Sequence, residues 1–101
     1  MEHRRGRLEI TRDILEVAKS GVGITAIVYG ANLNWPIARK HIQDMELADL
    51  ITVRELPGSG NRLYTTTERG LDFIKSLDET VAILMAPLVL DMIAVQEVSE
   101  G

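Results

Sequence analysis

Residues 24–64 read ITAIVYGANLNWPIARKHIQDMELADLITVRELPGSGNRLY, and this stretch decides the fold. It contains two blocks with helical spacing of apolar residues around a short turn, and then two β-prone runs around a glycine-rich tip. This order predicts a helical pair followed directly by a β-hairpin. The predicted elements are a helix at Ile24–Ala31, a turn at Asn32–Asn34, a second helix at Trp35–Ala48, strands at Leu50–Leu56 and Arg62–Thr66, and a hairpin tip at Pro57–Asn61.

The second of these helices carries its own start and stop signals. Asn34 precedes it as a capping residue, and Pro36 fits the first turn, where a helix does not need the missing N–H. Asp49 is predicted to end the helix, because aspartate tolerates left-handed backbone geometry better than most residues. The positions spaced i, i+4 and i+7, which should face the core, are Ala38, Ile42 and Met45.

Two segments precede this unit. A helix is predicted over Leu8–Lys19, because its apolar residues form one stripe and Gly21 and Gly23 follow it. Before it, residues 1–7 are predicted to form a flexible basic arm. The stripe consists of Ile10, Ile14, Val17 and Ala18, with Leu8 and Leu15 at its edge.

A long helix is predicted to begin at Thr67, which is placed to cap it. Its apolar residues alternate in steps of three and four, the spacing of a coiled-coil seam. We expect this seam to join two copies of the chain, because an uncovered apolar stripe would promote aggregation. Pro87 predicts either a kink or the start of a separate short helix. The predicted seam residues are Ile74, Leu77, Val81, Leu84, Leu88, Met92 and Val95.

Together these elements predict an α+β fold, mainly α. Residues 1–66 would form the basic arm and a winged helix-turn-helix, and residues 67–101 a C-terminal dimerisation helix. This order implies a task. The second helix of such a unit enters a groove of double-stranded DNA, and the hairpin grips the backbone beside it.

The charge of the chain is unevenly distributed. The formal net charge is −4, yet residues 1–66 contain nine Lys or Arg and eight Asp or Glu, whereas residues 67–101 contain two and seven. The negative charge therefore lies in the C-terminal part. Because exposed charges are screened beyond roughly 10 Å at 0.1 M salt, an acidic tail is compatible with a locally basic face. The overall balance predicts modest, salt-sensitive affinity for nucleic acid.

Several other classes of site lack the residues they need. The chain has no cysteine, which excludes thiolate sites and fits a reducing cytoplasm. His3 and His41 have no second ligand at metal-binding spacing. No Ser/His/Asp set is evident, so an enzyme is not predicted. The apolar run Val81–Val95 is interrupted by Pro87 and Asp91 and is shorter than the ~20 residues of a membrane span. We therefore expect no metal, no cofactor and no membrane association, and the sequence shows no evident small-molecule ligand.

Several short segments carry a family resemblance: Arg5–Ile10, Ile24–Tyr29, Ala31–Asn34, Asp49–Ile51 and Tyr64–Leu71. In order and spacing they resemble an archaeal family of small winged-helix DNA-binding proteins, the ten-a group of chromatin proteins and regulators, over about residues 5–77. Members of that family are described as double-stranded DNA binders that dimerise through a C-terminal antiparallel coiled coil. The resemblance implies that Trp35–Ala48 is the recognition helix and that Pro57–Asn61 is the wing tip.

The candidate DNA contacts lie on the arm, the recognition helix and the wing. Arg39, Lys40 and Gln43 either contact bases and phosphates or form an ordinary solvated face. Arg54 either binds the DNA backbone or pairs with Glu55 or a cross-strand partner. The arm either reaches along DNA or is a disordered end. The full set is Arg4, Arg5, Arg7, Asn34, Pro36, Ile37, Arg39, Lys40, Gln43, Arg54, Ser59, Asn61 and Arg62.

The predicted function is double-stranded DNA binding by a cytoplasmic, nucleoid-associated homodimer that regulates transcription or helps to organise the chromosome. The alternative is a winged-helix module that binds another protein and not DNA. Net acidity and Asp44, on the recognition face, favour that alternative. Trp35 is predicted to be a core residue in preference to a contact near the DNA backbone, and His41 to pack half-buried at the edge of its helix.

Overall fold

The computed structural model describes the backbone of residues 5–100 and the side chains of residues 5–93. The chain is mostly helical with a small two-stranded antiparallel sheet, so the predicted α+β, mainly α, winged helix-turn-helix is confirmed. Most predicted ends agree with the structure to within one or two residues. In chain order the elements are α1 (Arg7–Val17), a 3-10 turn (Ala18–Ser20), α2 (Ile24–Gly30), α3 (Trp35–Leu47), β1 (Ile51–Glu55), β2 (Arg62–Thr66) and α4 (Glu68–Glu100).

Local contacts explain where α3 begins and ends. The side-chain oxygen of Asn34 accepts the N–H of Ile37 at 2.9 Å, and Pro36 occupies the first turn. Asp49 follows the helix with a φ of 61°, the left-handed conformation that the sequence predicted for it. The predicted start and stop signals of this helix are therefore confirmed.

The core lies where α1, α2, α3 and the first turns of α4 meet the sheet. The largest fully buried side chains are Ile14, Leu15, Ile27 and Ile51. The three predicted inward residues of α3, Ala38, Ile42 and Met45, are all buried. Burial of a large apolar side chain contributes about 1.5–3 kcal/mol, so this face of α3 is held firmly and the opposite face is turned to solvent.

The sheet has one more pairing than the sequence predicted. β1 and β2 pair with Val53 opposite Tyr64, and Val22 pairs with the other edge of β2. The N–H of Val22 donates to the Tyr64 carbonyl at 2.9 Å, and the N–H of Tyr64 donates to the Val22 carbonyl at 2.8 Å. A single residue between Gly21 and Gly23 carries no alternating pattern, so this pairing could not be predicted from the sequence. This bridge ties the segment before α2 to the wing.

α4 begins at the predicted threonine cap and then packs on the core. The Thr67 hydroxyl accepts the N–H of Gly70 at 3.0 Å and donates to the Asp49 carbonyl at 2.8 Å. Ile74 is only 6% exposed and belongs to the core of its own protomer. Its assignment to the dimer seam is therefore wrong, because a side chain already covered within the protomer has no surface left for a second copy.

Beyond this packed part, α4 projects away from the other elements. Arg12 of α1 holds Asp78 through two hydrogen bonds of 2.7 and 2.9 Å, and the side chains of residues 78–93 are all exposed. At 1.5 Å per residue, the 33 residues of α4 extend about 50 Å, which explains why the molecule is 69 Å long. Among the described residues, no helix has the length and apolarity needed to cross a membrane.

The projecting part of α4 is one continuous helix through Pro87. The predicted alternative of a separate helix after this residue is therefore wrong. Proline removes the hydrogen bond to the Ile83 carbonyl and crowds that carbonyl, but the neighbouring Ala82 and Ala86 are strong helix formers. Leu77 is half-buried, and Val95 lies outside the described side chains. The exposed residues of the predicted seam are Val81, Leu84, Leu88 and Met92.

Candidate nucleic-acid interface

The outer face of α3 carries the central candidates for DNA contact. Burial of its inner face places Pro36, Lys40 and Gln43 on the opposite side, where all three are exposed. Asn34 and Ile37 are exposed near the N-terminal end of the helix. Lys40 forms no ion pair with any residue from 5 to 93. This face therefore presents cationic, amide and apolar groups, the kinds of side chain that contact bases and phosphates in other helix-turn-helix proteins.

Arg39 lies one helical turn after Trp35. Its guanidinium carbon is 5.7 Å from the centre of the Trp35 ring, within the range of a cation–π contact. Trp35 remains 38% exposed, so the predicted core position of this tryptophan is wrong. Trp35 is the first residue of α3, and its ring lies against an arginine at the surface.

A groove runs between α3 and the wing. The residues of α3 that line it include Arg39, Gln43 and Glu46, and β2 contributes Arg62 and Tyr64. Glu46 was absent from the predicted contacts. Its spacing of three residues from Gln43 and seven from Arg39 places it on the same side of the helix, and this spacing could have identified it. The groove therefore combines cationic groups with one carboxylate and one amide.

The two arginines of the wing differ in their partners. Glu55 lies 3.8 Å from Arg62 across the hairpin, and Arg54 has no ion pair within the described part of the chain. Of the predicted alternatives, the pairing of Arg54 with Glu55 is therefore wrong. Exposed ion pairs contribute little, so Arg62 as well as Arg54 can turn towards a phosphate.

The tip of the wing is a closed turn. The N–H of Leu56 donates to the Asn61 carbonyl at 2.8 Å. The Ser59 hydroxyl donates to the Leu56 carbonyl at 3.1 Å and accepts the N–H of Asn61 at 3.2 Å. Gly58 and Gly60 have φ values of 77° and 70°, which glycine adopts at low cost. The hydroxyl of Ser59 thus serves the turn, whereas the Asn61 side chain is exposed and has no such role in it.

The predicted basic arm is folded from residue 5 onward. Arg5 donates to the carbonyls of Ala31 and Asn32 at 2.7 and 2.8 Å and pairs with Asp13 at 2.7 Å. Its side chain is 27% exposed. Through these hydrogen bonds Arg5 holds the turn between α2 and α3, so its predicted place in a flexible arm is wrong. The contact spans 26 residues, so no local sequence pattern could indicate it.

The other two arginines of the arm have different positions. Arg7 is the first residue of α1, so it too belongs to the folded domain and not to an arm. Its guanidinium lies 3.3 Å from the Asp44 carboxylate of α3. The Asp44 carboxylate is half-buried on the side of α3 that faces α1, and this pairing partly neutralises its charge. Arg4 lies outside the described residues.

The profile of the winged helix-turn-helix family matches residues 4–84 of the sequence. The chain belongs to the winged helix-turn-helix family. Among solved structures it is similar to Sso10a-2, a DNA-binding protein from Sulfolobus solfataricus, with 27% identity, a TM-score of 0.75 and coverage of 95% of each chain. The predicted resemblance to archaeal winged-helix proteins agrees with this match. No functionally curated protein matches the chain significantly.

Two Staphylococcus aureus proteins share the fold of this winged-helix protein at lower identity. MarR, solved with salicylate and kanamycin, is 23% identical with a TM-score of 0.69, and the match covers 88% of this chain and 59% of MarR. MepR, solved in complex with DNA, is 11% identical with a TM-score of 0.67, covering 95% of this chain and 79% of MepR. These two likenesses concern the fold alone.

His41 of this winged-helix protein lies on the side of α3 that faces α1 and α4, and its side chain is half-buried as predicted. It lines a small cleft between α1, α3 and α4 together with Arg7, Asp44 and Phe73. Burial lowers the pKa of His41 below its ordinary 6.5, and the positive charges of Arg7 and Lys40 lower it further, whereas Asp44 acts in the opposite direction. The folded protein therefore favours the neutral imidazole.

This pKa shift predicts a loss of stability in mild acid. The unfolded chain binds a proton at His41 more readily than the folded chain, so the free energy of unfolding should fall as the pH drops below about 6.5. Urea denaturation at a series of pH values from about 7.5 to 5 measures this dependence. The His41→Gln variant should show a flatter profile; an equally steep profile in that variant would assign the dependence to another group.

Proposed function

We propose that this winged-helix protein binds double-stranded DNA as a homodimer, and that it regulates transcription or helps to organise the chromosome. One observation carries the proposal: α3 presents Arg39, Lys40 and Gln43 on its exposed side, next to a wing that carries Arg54 and Arg62. Sso10a-2, which shares the fold along nearly its whole length, is a DNA-binding protein, and this likeness adds support. The proposed location is the nucleoid in the cytoplasm.

In the proposed complex, α3 lies in the major groove, whose width of about 12 Å admits a helix. Lys40 and Gln43 face the base pairs in the major groove of the DNA, and Pro36 and Ile37 approach the DNA at the N-terminal end of the helix. The wing lies beside the sugar-phosphate backbone of the DNA next to that groove. Arg54 and Arg62 there bind phosphates, which position the protein without reading sequence. Arg5 is left out of the proposed contacts, because its hydrogen bonds hold the turn before α3.

The homodimer is proposed from the phase of the apolar residues on α4. Val81, Leu88 and Met92 follow Ile74 at nearly whole numbers of helical turns, at 3.6 residues per turn. The stripe that Ile74 packs against the protomer core therefore continues in phase beyond Asp78, where the described side chains are exposed. A second α4, packed as an antiparallel coiled coil, would cover this stripe and would place two α3 helices at a fixed spacing.

Salt dependence tests the DNA proposal. Fluorescence anisotropy with a DNA duplex, at about 50 mM salt and at higher salt, measures the association constant. The logarithm of this constant should fall linearly with the logarithm of the salt concentration. Lys40→Ala should reduce that slope by about one per protomer, because each protomer releases one fewer counterion. Lys75→Ala is the matched control, since Lys75 is an exposed lysine on α4, and its slope should equal that of the wild type. Absence of binding at about 50 mM salt, or a slope near zero, contradicts the proposal.

The second candidate function is docking of a polypeptide on the same surface. The net charge of −4 and the carboxylate of Glu46 on α3 favour it, because negative charge repels phosphate, whereas Asp44 is paired with Arg7. A pull-down that returns one protein partner in stoichiometric amount, together with a purified dimer that has no affinity for duplex DNA, would favour this function over the first.

A further inference from the structure

We infer that Trp35 is a positioning residue that holds Arg39 to read a guanine in the major groove. The inference rests on the proposed DNA binding and concerns how α3 selects sequence. The large aromatic ring of Trp35 is left partly at the surface of the protein. Trp35 is 38% exposed, and the guanidinium of Arg39 lies 5.7 Å from the ring centre.

Arg39 and Lys40 are adjacent cations in different environments. Arg39 lies over the Trp35 ring, whereas Lys40 has neither a ring contact nor an ion pair within residues 5–93. A ring contact restricts the many rotamers of an arginine and leaves its N–H donors in one plane. Because those donors stay fixed before DNA arrives, less conformational freedom is lost when a planar partner binds.

The planar fork of arginine matches guanine more closely than any other base. Two parallel N–H groups can donate to the O6 and N7 atoms that guanine presents in the major groove. Lysine lacks this fork and acts as a point charge. The Trp35 ring therefore gives Arg39 a geometric role, whereas the unrestrained Lys40 contributes a positive charge without a fixed orientation.

The composition of the groove beside α3 favours a base pair over a phosphate as the partner of Arg39. Glu46 lines the same groove as Arg39 and Gln43. A carboxylate repels phosphate, but it can accept the N4 amino group of cytosine. A guanidinium and a carboxylate on one side of the helix are therefore complementary to the two edges of a G·C pair.

Selection of bound fragments from random duplexes tests the inference, using the full chain and three variants. The wild type should enrich a guanine at a fixed position of each half-site. Trp35→Ala should lose that preference, and its salt slope should stay unchanged because no charge is removed. Trp35→Phe, which keeps a ring, should retain the preference. Arg39→Lys should lose it although the charge remains and Trp35 is intact, so this variant controls for damage to the start of α3.

A second measurement isolates the contact itself. In the selected duplex, guanine is replaced by 7-deazaguanine, which lacks the N7 acceptor. Wild-type affinity should fall roughly 5- to 100-fold, the range for loss of a good base contact, whereas the affinity of Trp35→Ala should be nearly insensitive to the replacement. A wild type that binds duplexes with no guanine preference, or a Trp35→Ala variant that keeps the preference, overturns the inference while leaving DNA binding intact. A wild type that binds no duplex overturns the proposed function instead.

Discussion

Replacing Gly70 by alanine is expected to destabilise the folded protein by about 3 kcal/mol, at the upper end of the usual cost of overpacking. Gly70 lies in the first turn of α4, where its N–H donates to the Thr67 hydroxyl. A methyl group at this position would collide with the Leu50 carbonyl oxygen and would lie 2.7 Å from a methyl carbon of Thr66. Because the Leu50 carbonyl is backbone and also accepts the N–H of Thr67 at 3.0 Å, it cannot move without loss of that bond.

Urea denaturation at one fixed protein concentration measures this effect, since the stability of the proposed homodimer would depend on protein concentration. Gly23→Ala is the matched control. Gly23 has a φ of −79°, and a methyl group there would meet only the Arg62 carbonyl at 4.0 Å. The control should therefore differ from the wild type by less than about 1 kcal/mol. Equal stability of the two variants would show that α4 can shift at its first turn without cost.

The elements of this fold could be predicted because their signals are local. Asn34 and Pro36 mark the start of α3, Asp49 marks its end, and Thr67 marks the start of α4, and each acts through neighbours within a few residues. The same holds for the inward face of α3, which follows from helical spacing alone. The exposed side of the recognition helix then follows by elimination, which is why the sequence could propose Lys40 as a DNA contact.

The remaining features depend on contacts that are distant along the chain. Arg5 reads as part of a flexible basic end, but in the structure it binds two carbonyls of the turn before α3. Ile74 has the spacing of a coiled-coil seam, yet the core of its own protomer covers it. The spacing that predicts a buried stripe cannot tell whether the covering surface belongs to the same copy or to another. Trp35 is predicted to be a core residue, although its partner in the structure is an exposed arginine.

Replacing Leu84 by aspartate is expected to convert the proposed homodimer to a monomer. Leu84 lies on the predicted seam of α4 and is 75% exposed in the protomer. Each copy would place one carboxylate in an apolar interface without a partner, at a cost of several kcal/mol per dimer, which corresponds to an increase of about 100-fold or more in the dimer Kd. Light scattering at micromolar concentration should give the mass of two chains for the wild type and of one chain for the variant.

The adjacent residue supplies the control for this change. Ile83 is also 75% exposed, but it lies about 100° away from Leu84 around the helix and off the seam. Ile83→Asp adds the same charge one residue away and should leave the dimer mass unchanged. If both variants dissociate, the interface is broader than a two-helix seam; if Leu84→Asp keeps the dimer mass, the seam is misplaced.

Dissociation should also weaken DNA binding by about 100-fold or more, because two linked α3 helices bind far more tightly than one. Loss of the dimer without loss of DNA affinity would mean that each protomer binds DNA by itself.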